Sequence, residues 1–363
     1  MLSIRDRLLC SHEFHRWALK FPLTRRIARK RAAELFDLCA GFVYSQILLA
    51  CVRLNLFEHL CAGPLPVDSL SLRLRLTNEA TLTLLNAAAA LDLLEWRGSL
   101  CGLGRHGAAL LGNPGLAPMI EHHALFYADL LDPVALLRSS DGPSRLSSFW
   151  AYASSPSPGK SSSDQVAPYS ALMSASQSFI AEEVLESHDF GSNRCLLDVG
   201  GGDGAFCLAA ARRAPNLFVR CFDLPAVCEL AAARFASAGI AARSQAIGGD
   251  FRRDPLPAGS DLITLIRVLH DHDDPTVLRI LRAVRGAARA AGTLLIAEPM
   301  AGAPGAERVA EAYFGFYLLA MGSGKPRTYD SLTSLLRQAG FARPRVRPTR
   351  LPMNLTILSV NIN

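Results

Sequence analysis

From Arg194 onward the chain alternates short apolar runs with stretches of helical period. The runs at 195–199, 217–222, 241–247, 262–269 and 293–297 predict strands covered on both faces. Between and after them, 205–213, 226–238, 275–291, 307–321 and 329–338 space their apolar residues for one helical face. Such alternation predicts an α/β fold, a doubly wound Rossmann-like, mostly parallel sheet whose ligand sits at the carboxyl ends of the strands.

The first half reads differently. Apolar residues fall at helical spacing in 35–60 and 77–96, and the order of segments predicts a winged helix. A short helix at 67–76 and another at 78–94 precede a hairpin wing at 95–111 carrying Gly98, Gly102 and Gly104. That shape raises DNA binding as a reading. Between Arg75 and Arg97, however, there is no Lys or Arg, and phosphate contacts dominate the affinity of such modules. A cap or dimerisation module is the better use of the fold, with no nucleic acid as partner. A Ser- and Pro-rich linker follows at 139–165, with Phe149 and Trp150 marking a part that docks. The expected divisions are thus 1–31, a basic segment; 32–138, the helical winged-helix-like domain; 139–165, the linker; and 166–363, the cofactor-binding domain.

Composition narrows the class. Of 363 residues 50% are hydrophobic and 19% charged, enough for a large core and unlike a disordered chain. Nine Lys or Arg fall within the first 31 residues against only Asp6 and Glu13. This cluster suits phosphates, of lipid headgroups or of nucleic acid, and equally a solvated basic helix. The charge-free run from Leu38 to Val52 is shorter than the ~18 to 20 residues of a membrane span and is expected to be a buried helix. Nine cysteines without a CxxC pair read as free thiols in a reducing cytosol, and the N-terminus lacks a secretory pattern. The expected location is cytoplasmic, with peripheral contact to an anionic inner-membrane surface left open.

Chemistry concentrates in a few loops. Asp198-Val199-Gly200-Gly201-Gly202-Asp203-Gly204 follows the first strand of the sheet and also satisfies the looser dinucleotide pattern through Gly200, Gly202 and Ala205. An NAD-dependent oxidoreductase is therefore a rival reading. Asp198 discriminates: a carboxylate at that strand end repels a pyrophosphate but attracts the ammonium of S-adenosylmethionine, and Asp203 adds to the same charge. Asp223, 19 positions after Gly204, suits ribose hydroxyls or a helix cap. Asp250 and Phe251, after Gly248-Gly249, suit an adenine amino group and ring face, or an ordinary turn.

His270 closes the fourth run. A hydroxyl is a poor nucleophile until its proton is removed, and an imidazole is the natural base. Glu298 or Asp271 would orient it. Asp273 and Asp274 before Pro275 read as helix cap and dipole partner, although the run from His270 to Asp274 could also be taken as metal ligands. No further ligand set is evident in the sheet region, and no metal is expected.

Taken in order, Asp198 to Gly204, Asp223, Asp250-Phe251, His270-Asp271 and Gly324-Lys325-Pro326-Arg327-Thr328 resemble the large S-adenosylmethionine-dependent O-methyltransferase family that includes plant caffeate and flavonoid enzymes. The resemblance runs from about Leu35 to the C-terminus. Phe42 to Gln46, Pro168 to Met173 and Tyr313 to Gly324 look most like its bacterial members acting on hydroxyneurosporene or demethylspheroidene in carotenoid synthesis, with bacteriochlorophyllide methyltransferases as close rivals. The resemblance implies a base at His270 supported by Glu298, and cofactor contacts at Gly200, Asp223, Leu224, Asp250, Phe251 and Arg267, with Gly201 and Gly202 in the same loop. It also implies a homodimer with interlocked N-terminal helices. Two departures stand out: His272 where plant enzymes usually carry Trp, and Pro326 where they carry a second acid. A small hydrophobic hydroxylated acceptor, such as a 1-hydroxy carotenoid, would meet Phe126, Tyr127, Tyr169, Met173, Phe314, Tyr317 and Met321, some of which read equally well as helix core. A ligand-sensing winged-helix DNA-binding protein is the non-enzyme rival.

Overall fold

Residues 3–113, 115–138, 144–150, 170, 172–174, 180–350 and 355–362 are described by a computed structural model. They fall into two units, Met1–Asn113 and Pro114–Asn363. The division lies at 113/114 rather than at the expected 138.

The first unit starts with α1 (Ile4–Leu9), α2 (His12–Lys20) and the 32-residue α3 (Pro22–Arg53). Ser3 and Ser11 cap the first two by accepting the Asp6 and Phe14 N–H groups, and Pro22 opens the third at the position where a missing N–H costs nothing. The expected boundary at 31/32 thus falls inside one continuous helix. Burial along α3 is also less than expected. Within it only Leu49, Cys51 and Val52 are buried, while Leu35, Leu38 and Phe42 stand open on one side. By length and hydropathy α3 could cross a membrane; among the described residues it is the one such helix.

After α4 (Leu56–His59) come β1 (Leu65–Pro66), α5 (Val67–Leu74), α6 (Asn78–Ala90), β2 (Leu94–Arg97), β3 (Leu100–Leu103) and α7 (Arg105–Leu111). The strands pair antiparallel in the order β1-β3-β2, the winged-helix arrangement. The wing is shorter than expected. Gly104 begins a helix instead of ending a hairpin, because at Gly107 the backbone presses so closely on α6's exit that a Cβ would lie 2.1 Å from the Leu93 carbonyl oxygen.

The second unit opens with α8 (Leu116–Asp129), α9 (Pro133–Arg138) and α10 (Arg145–Phe149). Part of the expected linker is therefore helical and packed, with Trp150 buried beyond it; the rest, and Tyr169, lie outside the described residues. The sheet follows: β4 (Cys195–Val199), α11 (Ala205–Arg213), β5 (Phe218–Asp223), α12 (Pro225–Ser237), β6 (Ser244–Gly248), β7 (Ser260–Ile266), α13 (Asp274–Ala287) and β8 (Ala288–Glu298). Next come β9 (Met300–Ala301), a π-helical turn Arg308–Tyr313 leading into α14 (Phe314–Met321), β10 (Arg327–Thr328) and α15 (Tyr329–Gln338). The chain closes with β11 (Arg345–Arg347) and β12 (Thr356–Asn361).

The strand order is β11-β12-β8-β7-β4-β5-β6, parallel from β8 to β6. The chain reverses direction across the sheet between β4 and β7, which opens a crevice at their carboxyl ends. Both faces are covered. Leu197, Ile263, Leu265, Leu294 and Ile296 face α13 and α15, while Leu196, Leu262, Leu295 and Ala297 pack with α11 on the other side.

All five expected strands are present, 195–199 with the expected ends and the other four with altered ones. Residues 241–243 form a turn before β6, and β7 stops at Ile266 because Arg267 adopts a left-handed backbone, φ +56°. Two strands of this sheet, β11 and β12, escape the sequence reading. β12 pairs antiparallel with β8, Leu358 opposite Ile296, and with β11 on its other edge. Truncating the fully buried Leu358 to Ala should cost about 2 to 5 kcal/mol in urea unfolding at unchanged m; a loss under 1 kcal/mol would mean β12 is peripheral to the folded core.

Candidate active site

At the carboxyl end of β4 the chain turns through three left-handed glycines, Gly200, Gly202 and Gly204, with φ of +73°, +59° and +76°. A Cβ would strike Val268 at Gly200 and the Phe235 ring at Gly204, 2.7 Å away in each case. At Gly202 it would meet nothing within 4 Å. The loop is thus tied down on its protein side and open on the other.

The cleft beside it gathers Asp198, Gly200, Gly201, Gly202 and Arg267 from the expected cofactor set, together with Met173, expected on the acceptor side. Asp198 is buried and accepts a hydrogen bond from Thr264 Oγ1 at 2.6 Å; burial pushes its pKa up to about 7. A cation in the cleft would favour the charged carboxylate. Ser170, on the same cleft, keeps a buried hydroxyl with no partner among the described residues. An open glycine cradle, a carboxyl group poised to ionise and an unpartnered hydroxyl fit a nucleoside cofactor that carries positive charge.

Neighbouring acids have other duties. Asp203 is held by Arg234, so it does not add free negative charge to the loop as expected. Asp223 braces the loop, accepting the Gly202 and Leu224 N–H groups at 2.8 and 2.7 Å, and burial raises its pKa to about 6. Asp250 is gripped by Arg252 through Nε and Nη2, both at 3.0 Å, so another donor must share it. Phe251 lies beside Gly200 and meets His272 edge to face at 5.4 Å. Burial keeps His272 below the ordinary histidine pKa, which suits a neutral ring used for packing.

Beyond Arg267 a short turn, Leu269–Asp271, carries His270. Its Nδ1 lies 2.5 Å from Glu298 Oε2, and its Nε2 lies 3.2 Å from Asp271 Oδ1. Glu298 ends β8, next to β7 in the sheet, and its Oε1 accepts the Val268 and Leu269 N–H groups at 2.9 and 2.6 Å. One carboxylate therefore fixes both the turn and the ring. Burial opposes charging His270, but the carboxylates of Asp271 and Glu298 outweigh it and the pKa is raised.

A second strap holds the turn from outside. The Lys325 N–H donates to the His270 carbonyl at 2.9 Å, and the Ser323 hydroxyl to that of Asp271 at 2.9 Å. Buried Arg327 donates to the carbonyls of Leu269 and His272, both at 2.6 Å, and to Asp274. Of the five residues His270 to Asp274, Asp273 caps α13 through the Thr276 N–H, while Asp274 takes Lys325 and Arg327 rather than serving the helix alone.

Phe314 faces His270 edge to face, 5.6 Å between centroids. Around it lie Phe126, Tyr127, Tyr313, Tyr317 and Met321, of which Phe126, Tyr317 and Met321 are buried as helix core. Two histidines of α8 complete the wall, with His122 Nε2 2.7 Å from the Tyr317 hydroxyl and His123 Nε2 2.7 Å from that of Tyr313. Trp150 Nε1 donates to Tyr317 at 3.0 Å. Burial holds both histidines below the ordinary value, His122 at about 4, so they remain neutral near pH 7. The sequence reading missed His122 and His123, whose partners lie far along the chain, the His-His pair on a helix being the local signal; it had Trp150 as a docking residue but not the tyrosine that it meets. It had the segment from Gly324 to Thr328 as a motif but not its grip on the turn.

A Rossmann-like sheet with a glycine loop at its switch point defines the class of nucleoside-cofactor enzymes, and the histidine held by a carboxylate follows the strand next to that loop's. Residues 127–342 match the O-methyltransferase domain family and 36–108 the O-methyltransferase dimerisation domain. The chain belongs to the O-methyltransferase family, and it is an S-adenosylmethionine-dependent O-methyltransferase. It is 41% identical over 347 residues to the demethylspheroidene O-methyltransferase of Cereibacter sphaeroides, covering 95% of this chain and 91% of that protein. To the enzyme of the same name from Rhodobacter capsulatus it is 37% identical over 352 residues, 97% and 88% of the two chains. Human N-acetylserotonin methyltransferase, solved with S-adenosylmethionine, shares the fold at a TM-score of 0.74 and 23% identity, over 91% of this chain and 97% of that one.

Gly324, at φ +79°, lies so close that a Cβ would fall 2.0 Å from the His270 carbonyl oxygen. Gly324→Ala should therefore lower kcat by at least about tenfold while S-adenosylhomocysteine binding, measured by calorimetry, changes less than about threefold. An unchanged kcat would show that the strap does not set the turn.

Proposed function

We propose that the chain methylates the hydroxyl of a long hydrophobic acceptor, a 1-hydroxy carotenoid, with His270 as general base. The observation that carries the reading is the fixed His270–Glu298 pair set against a wall whose hydroxyl and indole groups are turned on one another. Such a wall offers ring faces and hydrocarbon, which suits a polyene, whereas a polyhydroxylated phenol would need polar partners. The acceptor in the relatives' name, demethylspheroidene, supports the same class.

S-Adenosylmethionine, when bound, supplies a methyl group on positively charged sulfur. Asp198 and the Ser170 hydroxyl would hold its amino-acid end, Asp223 the ribose, and Asp250 with Phe251 the adenine; Leu224 and Arg267 flank it. His270 keeps its Nδ1 proton on Glu298 and takes the acceptor's proton at Nε2, so that the oxygen gains nucleophilicity as it attacks. A neutral Nε2 has no hydrogen to give Asp271, so their 3.2 Å contact belongs to the protonated ring, and Asp271 must yield to the acceptor hydroxyl. A tertiary alcohol is far less acidic than a phenol, so this proton removal must accompany transfer, in a site kept dry by the aromatic wall. The dimerisation domain supports a homodimer as the working form.

An assay with labelled methyl donor over hydroxylated carotenoids, chlorophyllides and phenols tests the acceptor. Turnover on the carotenoids at least about tenfold above the other classes is expected, and a preference for chlorophyllides or phenols would replace the reading. The pH profile tests the base. Since the active form is neutral and the pKa is raised, kcat/KM should fall with acidity through a value above the ordinary ~6.5 of histidine. Asp271→Asn removes a negative charge beside Nε2 and should move that acid limb to lower pH; a limb that stays put means Asp271 does not act on His270.

A further inference from the structure

We propose that the N-terminal helices, residues 3–31, dock the protein on an anionic phospholipid surface. All nine basic residues of this segment are exposed: Arg5, Arg7 and Arg16, Lys20, and the run Arg25, Arg26, Arg29, Lys30 and Arg31. Of the two acids present, Asp6 is spent locally, accepting the Ser3 N–H in a capping box. The segment therefore presents concentrated positive charge.

Charge alone would also describe a solvated helix; the apolar side separates the two. Phe14, Trp17 and Phe21 follow one another at helical spacing, with ring centroids 5.9 and 5.0 Å apart. Trp17 is 50% exposed, and elsewhere in the segment Ile4, Leu8, Leu19 and Leu23 are exposed too. Only Ala18 is buried, and the Thr24 hydroxyl donates to its carbonyl at 2.8 Å, closing the corner between α2 and α3. Exposed rings beside long basic side chains match the boundary between headgroups and acyl chains, where a ring sits in the interface and a cation reaches the phosphates.

Other occupants fit less well. The dimerisation match begins at residue 36, after this segment, so a second copy has its own surface. Nucleic acid would use the cations but leave the aliphatic side chains in water. The inference holds whichever hydroxylated acceptor the enzyme takes.

The test uses the full-length protein with vesicles of phosphatidylcholine, with and without phosphatidylglycerol, in flotation and in tryptophan emission. Binding to the anionic vesicles at ~0.1 M salt and release at ~1 M are expected, with a blue shift that Trp17→Phe abolishes. Replacing Arg16, Arg25, Arg26 and Arg29 together by Glu should weaken partition at least about tenfold. The same variant should remain a dimer and keep its turnover on a detergent-dispersed acceptor. Equal binding to neutral vesicles overturns the proposal, as does undiminished binding of the Glu variant. So does tighter binding to duplex DNA, retention at high salt as a spanning α3 would give, or dissociation of the variant into monomers.

Discussion

The site depends on one buried carboxylate. Glu298 ends β8 beside the end of β7, and its two oxygens serve three donors: the Val268 and Leu269 N–H groups and the His270 ring. A buried carboxylate is costly unless every lone pair finds a partner, so the arrangement tolerates little movement. Holding the ring by Nδ1 leaves Nε2 to Asp271, 3.2 Å away, and the same carboxylate's bonds to backbone N–H groups shape the turn that follows β7. Gly324, Lys325 and Arg327 then clamp that turn's carbonyls from the other side.

Around this pair the acids are sorted by their partners rather than by their number. Asp203 and Asp250 are neutralised by Arg234 and Arg252, and Asp223 is tied to backbone N–H groups. Among the described residues Asp198 meets no cation and accepts from uncharged groups, Thr264 and, weakly, Cys207. In the proposed reading the charge match to a sulfonium nucleoside would rest on this single strand-end carboxylate. The departure at His272 also has a physical reading: a neutral imidazole packs on Phe251 and keeps an aromatic ring at that point.

The aromatic wall follows similar logic on a less polar surface. Histidines of α8 and the indole of Trp150 take up the hydroxyls of Tyr313 and Tyr317, leaving Phe314 to face His270. Hydrogen bonding within the wall lets it be rigid without being hydrophilic. The π-helical turn at Arg308–Tyr313 leads directly into the residues that need this placement.

The sequence by itself determined the alternation that makes a doubly wound sheet, the glycine loop, His270 with its Glu298 partner, and the charge of the N-terminal segment. All but Glu298 are local patterns, set by the spacing of apolar residues and by turn chemistry within a few positions; Glu298 came from the resemblance, the residues alone leaving Asp271 as its rival. Only the tertiary structure decided that Asp203 is neutralised, that Asp274 braces the strap, that β12 inserts antiparallel beside β8, and that His122 and His123 meet Tyr317 and Tyr313 some 190 residues away. Each of those facts is a pairing across the fold. A carboxylate or an imidazole takes its role from the partner that satisfies it when water is excluded, and the chain's order does not name that partner.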